Sequence, residues 1–224
     1  MTVGIAVVIP EAVVLVAYSR KSWPFDKGKS PVDDSEKIHV FNDKLAVISF
    51  GITQVTDIAV RLLHNQTFME KSIPSIVSNV ENSMQVAWES VSRRLDSGAD
   101  KSHSSMRSAL VVGGLLGAKP YLAGILRDFS TPKPPTLQDK HFGYIVLGGE
   151  SVDAQDVFHA NLLSRLEKSN HGIHTFSDIL VETVLNAAKD TIVFVEKDDH
   201  TVGGPIHYLL LRSGHNAKKG ILRS

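Results

Sequence analysis

Thr2 carries the first chemistry that the sequence offers. A methionine before a small residue is normally removed, which would leave Thr2 at the start of the chain. A terminal threonine holds a hydroxyl nucleophile and a primary amine on one residue. The reference pKa of such an amine, about 7.7–8.0, leaves a useful fraction neutral near pH 7. The neutral amine can take the hydroxyl proton, directly or through water. By position alone, the plainer reading is that Thr2 only begins a strand. Other chemistries are weaker. The chain has no cysteine, which excludes disulfides, thiolate metal sites and a cysteine nucleophile. Its 10 histidines are scattered. His171 and His174 have a chelate spacing, but they lie in a glycine-containing loop without an acidic cluster, so no metal is expected. Gly113-Gly114 and Gly148-Gly149 do not open a phosphate-binding pattern. No cofactor is expected.

The elements that must hold these residues can be read from periodicity. Val3–Ile9 and Ala12–Tyr18 are apolar runs split by Pro10-Glu11, which predicts a hairpin buried on both faces. Lys21–Glu36 is a loop rich in Pro, Gly, Asp and Ser. Lys37–Val40 and Leu45–Phe50 form a second hairpin turning at Asn42-Asp43. Val55, Ile58, Ala59, Leu62 and Leu63 then recur at helical spacing. Ile73, Ile76, Val77, Val80, Met84, Ala87, Trp88, Val91 and Leu95 give a longer helix with one wide apolar stripe. Ser72 suits its N-cap and Pro74 its first turn. Ser108–Leu116 and Tyr121–Asp128 make a third hairpin, and Phe142–Leu147 another strand. Helices are expected at 152–166 and 176–188. A segment Thr191–Glu196 follows, then a polar turn, the strand Ile206–Leu211 and a basic tail.

The 224 residues suit a single domain, 1–224, with one well-buried core. Lys+Arg and Asp+Glu are equal at 24 each, so no global field attracts nucleic acid or an acidic membrane. The apolar first seventeen residues lack a positive leading segment and are broken by Pro10-Glu11. No run reaches the roughly 20 apolar residues of a membrane span, and a cytoplasmic location is expected. Runs of strands segregated from helix pairs predict an α+β fold. Two antiparallel sheets pack face to face, each covered outside by a helix pair, as a four-layer αββα sandwich.

Thr2-Val3-Gly4-Ile5 opens the first hairpin, Ala12–Ala17 returns it and Ser19-Arg20 closes it. Glu36-Lys37-Ile38-His39 precedes Leu45-Ala46-Val47-Ile48-Ser49-Phe50-Gly51, and Asp199–Gly204 ends in Gly-Gly. In these motifs the sequence resembles the β subunits of the 20S proteasome and the related bacterial peptidase HslV, members of the N-terminal-nucleophile hydrolases. The order of elements fits over nearly the whole chain. The resemblance implies a threonine peptidase with Thr2 as nucleophile and Lys37 as a cation that lowers the pKa of its amine. It implies that the Gly51 backbone N–H stabilises the oxyanion, that Arg20 buttresses the site and that Asp199 orients the threonine. Ser49, Thr53 and His39 would line the substrate pocket, and their small or polar character argues against a strong preference for bulky apolar groups. The implied partners are a peptide or unfolded-protein substrate, further copies of the chain in a homo-oligomeric ring or double ring, and an ATPase that feeds the chamber. Three positions depart from the family. Tyr18 replaces an acid that pairs with the lysine, Gly149 stands for a serine with Ser151 nearby, and Val202 stands for another serine. These departures support a second reading, a catalytically inactive ring-forming homologue. A third is an amidohydrolase of the same superfamily acting on a small substrate.

Overall fold

The computed structural model describes residues 3–20, 32–33, 35–66, 72–95, 107–128, 135–138, 141–148, 153–169, 173, 176–199 and 202–222. Its strands and helices follow the apolar patterning closely. β1 (Gly4–Ile9) and β2 (Ala12–Tyr18) are buried at every residue. They pair antiparallel from Gly4↔Ala17 to Ile9↔Ala12, and the turn places Glu11 at a φ of 62°. β3 (Ile38–Asn42) and β4 (Leu45–Gly51) form the second hairpin, followed by α1 (Thr53–His64) and α2 (Ile73–Leu95). β5 (Ser108–Leu116), β6 (Lys119–Arg127), β7 (Thr136–Gln138) and β8 (Gly143–Leu147) come next. α3 (Ala154–Ser169), α4 (Asp178–Asp198), β9 (Ile206–Arg212) and β10 (Lys218–Leu222) complete the order.

Two five-stranded antiparallel sheets result, ordered β10-β9-β2-β1-β8 and β3-β4-β5-β6-β7. Successive side chains of a strand point to opposite faces, so each central strand feeds two cores. Ile5, Val7, Val14 and Val16 meet Phe158, Leu162, Val184 and Ile192 under α3 and α4. Ala6, Val8, Val13 and Leu15 meet Ile48, Val111, Leu122 and Leu209 between the sheets. Leu45, Val47, Leu110 and Val112 meet Val55, Leu63, Met84 and Trp88 under α1 and α2. Three apolar interfaces separate four layers, giving the αββα sandwich. The sheets approach so closely that a Cβ on Gly113 would lie 2.8 Å from both Leu15 and Val13, so this glycine serves packing.

Two expectations change. Thr191–Glu196 continues α4 rather than forming a separate segment. Its β-branched residues favour a strand by propensity. However, Ile192 and Val195 extend the buried stripe of Val184 and Ala188, and the Thr191 hydroxyl donates back to the Ala187 carbonyl at 2.8 Å. Tertiary burial outweighs the local preference. The basic tail is strand β10, paired to β9 from Lys218↔Leu210 to Leu222↔Ile206. As an edge strand it needs no second apolar face, and its lysines suit an edge. The α2 start is as expected: the Ser75 N–H points to the Ser72 hydroxyl at 3.4 Å, and the Ile76 N–H donates to the Ser72 carbonyl at 3.0 Å.

Candidate active site

Thr2, Gly149 and Ser151 lie outside the described residues. The described chain begins at Val3, which is fully buried and leads directly into β1. Around it the fold assembles two groups of the residues singled out from the sequence.

The first group ties the end of β2 to the turn before β9. Arg20 donates from Nε to Asp33 Oδ1 at 2.7 Å and from Nη2 to Oδ2 at 3.1 Å, a two-pronged grip on one carboxylate. Its Nη1 donates to the Val202 carbonyl at 3.0 Å, and its own N–H donates to the Gly203 carbonyl at 3.2 Å. The Asp33 hydrogen bond, then the Asp33 and Glu196 charges, raise the Arg20 pKa against a smaller opposing effect of burial. The same bond holds the Asp33 carboxyl below its ordinary value. Asp33 was not singled out from the sequence, where its only signal was an acidic pair closing the loop. Ser19 donates its hydroxyl to the Asp33 carbonyl, and its own carbonyl accepts from the Ser35 N–H at 3.0 Å. Asp199 follows the last turn of α4 as its C-cap. Its carbonyl accepts from the Val202 N–H at 2.9 Å, so backbone joins Asp199 to the Arg20 cluster. Val202 itself is fully buried in the core under α3 and α4, as is Tyr18.

The second group gathers where β3 begins and β4 ends. Lys37 is buried at 9% exposure, and its carbonyl accepts from the Ser49 N–H at 2.9 Å. Ile38 faces the core between the sheets, so Lys37 and His39 alternate toward the side covered by α1. His39 Nε2 lies 3.1 Å from the Ser49 hydroxyl, itself buried. Burial lowers the His39 pKa, and His64 and Lys37 act in the same direction, while Glu36 and Asp57 oppose them. The imidazole is therefore neutral at pH 7. Thr53 opens α1, and its carbonyl accepts from the Thr56 hydroxyl at 3.1 Å. Gly51 ends β4, exposed, at a φ of 86°. A Cβ there would sit 1.8 Å from the Arg107 carbonyl oxygen. Gly51 is thus required by its own backbone. The next residue, Ile52, donates its N–H to that carbonyl and to the Ser108 hydroxyl, each at 3.2 Å.

The groups adjoin, because the Ser19–Ser35 hydrogen bond places the segment leading to Lys37 beside the end of β2. Tyr18 and Lys37 line one cleft. Among the described residues no cluster of three or more histidine, aspartate or glutamate side chains has the arrangement of a metal site; His171 and His174 lie outside them. No described helix is long and apolar enough to cross a membrane.

Neither family-wide nor curated-protein sequence comparison gives a match. Solved structures do match over the whole chain. Anbu proteins are among them. The Anbu complex from Pseudomonas aeruginosa, described as a helical assembly, superposes with a TM-score of 0.71 at 15% identity, covering 100% of this chain and 87% of that one. Anbu (ancestral beta-subunit) from Yersinia bercovieri gives 0.67 at 15% identity, covering 100% and 88%. Anbu from Hyphomicrobium sp. strain MC1 gives 0.65 at 12% identity, with the same coverage. The resemblance to 20S proteasome β subunits and HslV is therefore corrected: the structural likeness is to Anbu, a proteasome-related fold. The motifs behind the resemblance are short. Tyr18 and Val202 mark the divergence, since both are core residues here. Likeness to Anbu at this identity shows the fold, two five-stranded sheets between helix pairs.

Proposed function

We propose that the chain, acting as a single domain over residues 1–224, is a threonine-type peptidase in the cytoplasm that works within a homo-oligomer. Removal of Met1 would expose the Thr2 amine. The amine takes the hydroxyl proton as Thr2 Oγ attacks a peptide carbonyl. The oxyanion forms against the Gly51 N–H. The leaving amine departs with a proton, and the ester left on Thr2 is cleaved by water activated by the same amine. Lys37 favours the neutral, basic form of that amine. Arg20, with Asp33, and Asp199 position the turn beside it, and His39, Ser49 and Thr53 present small polar groups to the substrate side chain. The observation that carries this reading is the burial of Lys37. Lysine is seldom buried unless it is paired, and this one sits one residue before the strand that contributes His39.

The helical assembly named for the P. aeruginosa Anbu complex supports self-association here. A head-to-tail contact between copies closes into a ring or runs on as a helix, depending only on its rotation. Peptides or unfolded chains are the proposed substrates, with an ATPase as a feeding partner. A second reading is an inactive scaffold of the same fold, favoured by Val202, whose burial removes a polar position from the site, and by Tyr18, a neutral side chain where the resemblance implies a carboxylate. Small-molecule amide hydrolysis is the third.

Hydrolysis of fluorogenic peptides by wild type, Thr2→Ala and Lys37→Ala, with N-terminal sequencing of each, separates these readings. The peptidase requires Thr2 at the mature terminus and activity reduced at least about 100-fold in both variants. Equal activity in wild type and Thr2→Ala, or a retained Met1 in active protein, rejects it.

A further inference from the structure

Gly51 and Thr53 flank Ile52, the residue that joins β4 to α1. Ile52 is the N-cap of α1, yet its side chain offers no oxygen to the helix. In a capping box, a glutamate or glutamine three residues on bonds the N-cap N–H. That position is Val55 here, buried in the core under α1 and α2. Ser108 of β5 takes the role instead. Its hydroxyl accepts from the Ile52 N–H at 3.2 Å, beside the Arg107 carbonyl at the same distance. Ser108 is buried and paired on both sides, with Gly51 on β4 and Arg127 on β6. Arg127, also buried, donates to Gln85 at 3.0 Å and to Glu81 at 3.2 Å on α2. These bonds tie this row of the sheet to the helix above it.

The register also gives the direction of the Gly51 N–H. A bond from Ile52 to Arg107 means that the opposed residues Gly51 and Ser108 exchange no backbone hydrogen bonds with each other. The Gly51 N–H therefore points away from β5, to the same edge as the Ser49 N–H, which meets the Lys37 carbonyl at 2.9 Å. Since β3 begins at Ile38, the Gly51 N–H projects past the end of that strand. We propose that Ser108 is a positioning residue for the hydrolysis, an assignment that rests on the peptidase reading of Gly51. A glycine at positive φ has wide backbone latitude, whereas an oxyanion donor must hold its place within about 0.5 Å and 10–20°. Two acceptors on the Ile52 N–H, one from backbone and one from Ser108, fix the plane of the Gly51–Ile52 peptide. That plane sets the aim of Gly51 on one side and the placement of Thr53 on the other.

The test compares kcat and KM for a fluorogenic peptide in wild type, Thr2→Ala, Ser108→Ala, Ser108→Cys and Ser108→Thr, each with a thermal melt. Ser108→Ala removes the acceptor. Ser108→Cys keeps the volume but accepts weakly, and it carries the comparison if the alanine variant melts below the assay temperature. Both should lower kcat roughly tenfold, a fraction of the hundredfold that a 1 Å misplacement can cost, because the Arg107 carbonyl still holds the Ile52 N–H. KM should stay within about twofold, since only the transition state places charge against Gly51. Ser108→Thr keeps the oxygen and should recover most of the rate. The three variants should melt within about 4 °C of wild type. Wild-type kcat in both Ser108→Ala and Ser108→Cys, beside an inactive Thr2→Ala, overturns this assignment alone. So does a rise in KM that accounts for the loss, or a Ser108→Thr no faster than Ser108→Ala. Wild type without Thr2-dependent hydrolysis overturns the peptidase reading, and the assignment with it.

Discussion

Gly51 and His39 show how single residues in the second group answer to more than one demand. At Gly51 a side chain meets both a positive φ and the Arg107 carbonyl. Gly51→Ala should therefore lower stability by about 2 kcal/mol or more, roughly 4–8 °C in Tm for a chain of this length, as read by thermal melts. Loss of hydrolysis in that variant would not by itself establish an oxyanion role; a melt beside the assay separates the two effects. His39 has a folded-state pKa below its ordinary 6.5. The unfolded chain thus takes up this proton first as pH falls. Its contribution to stability is complete above 6.5 and is lost as pH drops from 6.5 toward and through the folded value. Melts between pH 5 and 7 should show wild type losing Tm with acidification more steeply than His39→Asn. Parallel curves would show that the buried imidazole does not govern this limb.

At the scale of elements, the turn between α4 and β9 is where this chain leaves the pattern that its motifs suggest. A serine is expected there from the resemblance, yet Val202 lies fully buried beside the packed face of β1 and β2. Its carbonyl still anchors Arg20, and its N–H still closes on Asp199. The backbone role is kept while the side chain serves the core. Val202→Ser should cost about 1–3 kcal/mol through a hydroxyl placed in apolar surroundings, seen as a lower midpoint in urea. An unchanged midpoint would mean that the hydroxyl finds a partner in the turn. Restored polarity at this position should not raise peptidase activity if Lys37 and Thr2 suffice. Propensity misjudged the end of α4 and the tail for one shared reason. Packing against a sheet, or pairing along its edge, decides whether Thr191–Glu196 and Lys218–Leu222 extend a helix or form a strand.

For the whole molecule, the four-layer arrangement brings the ends of β2 and β4 and the start of β3 to one region where the sheets meet. Assembly is the property that belongs to this scale. Light scattering and sedimentation should give a mass several times that of one chain, and electron micrographs should show closed rings or helical stacks. A monomer at micromolar concentration would remove the chamber from the proposed function and favour the small-amide reading.

The sequence alone determined most of the strand and helix runs, the two-sided burial of the first hairpin and the αββα layering, because apolar periodicity is written locally; β7, β10 and the end of α4 it left unread. The resemblance carried by its motifs pointed to Lys37, Gly51 and Arg20. Only the tertiary structure decided that Asp33 is the carboxylate held by Arg20, that Val202 and Tyr18 are core residues, that His39 is depressed by burial, and that the likeness is to Anbu. Those facts depend on which distant segments meet, such as residues 20, 33 and 202, and on how much water their meeting excludes. No local pattern encodes that.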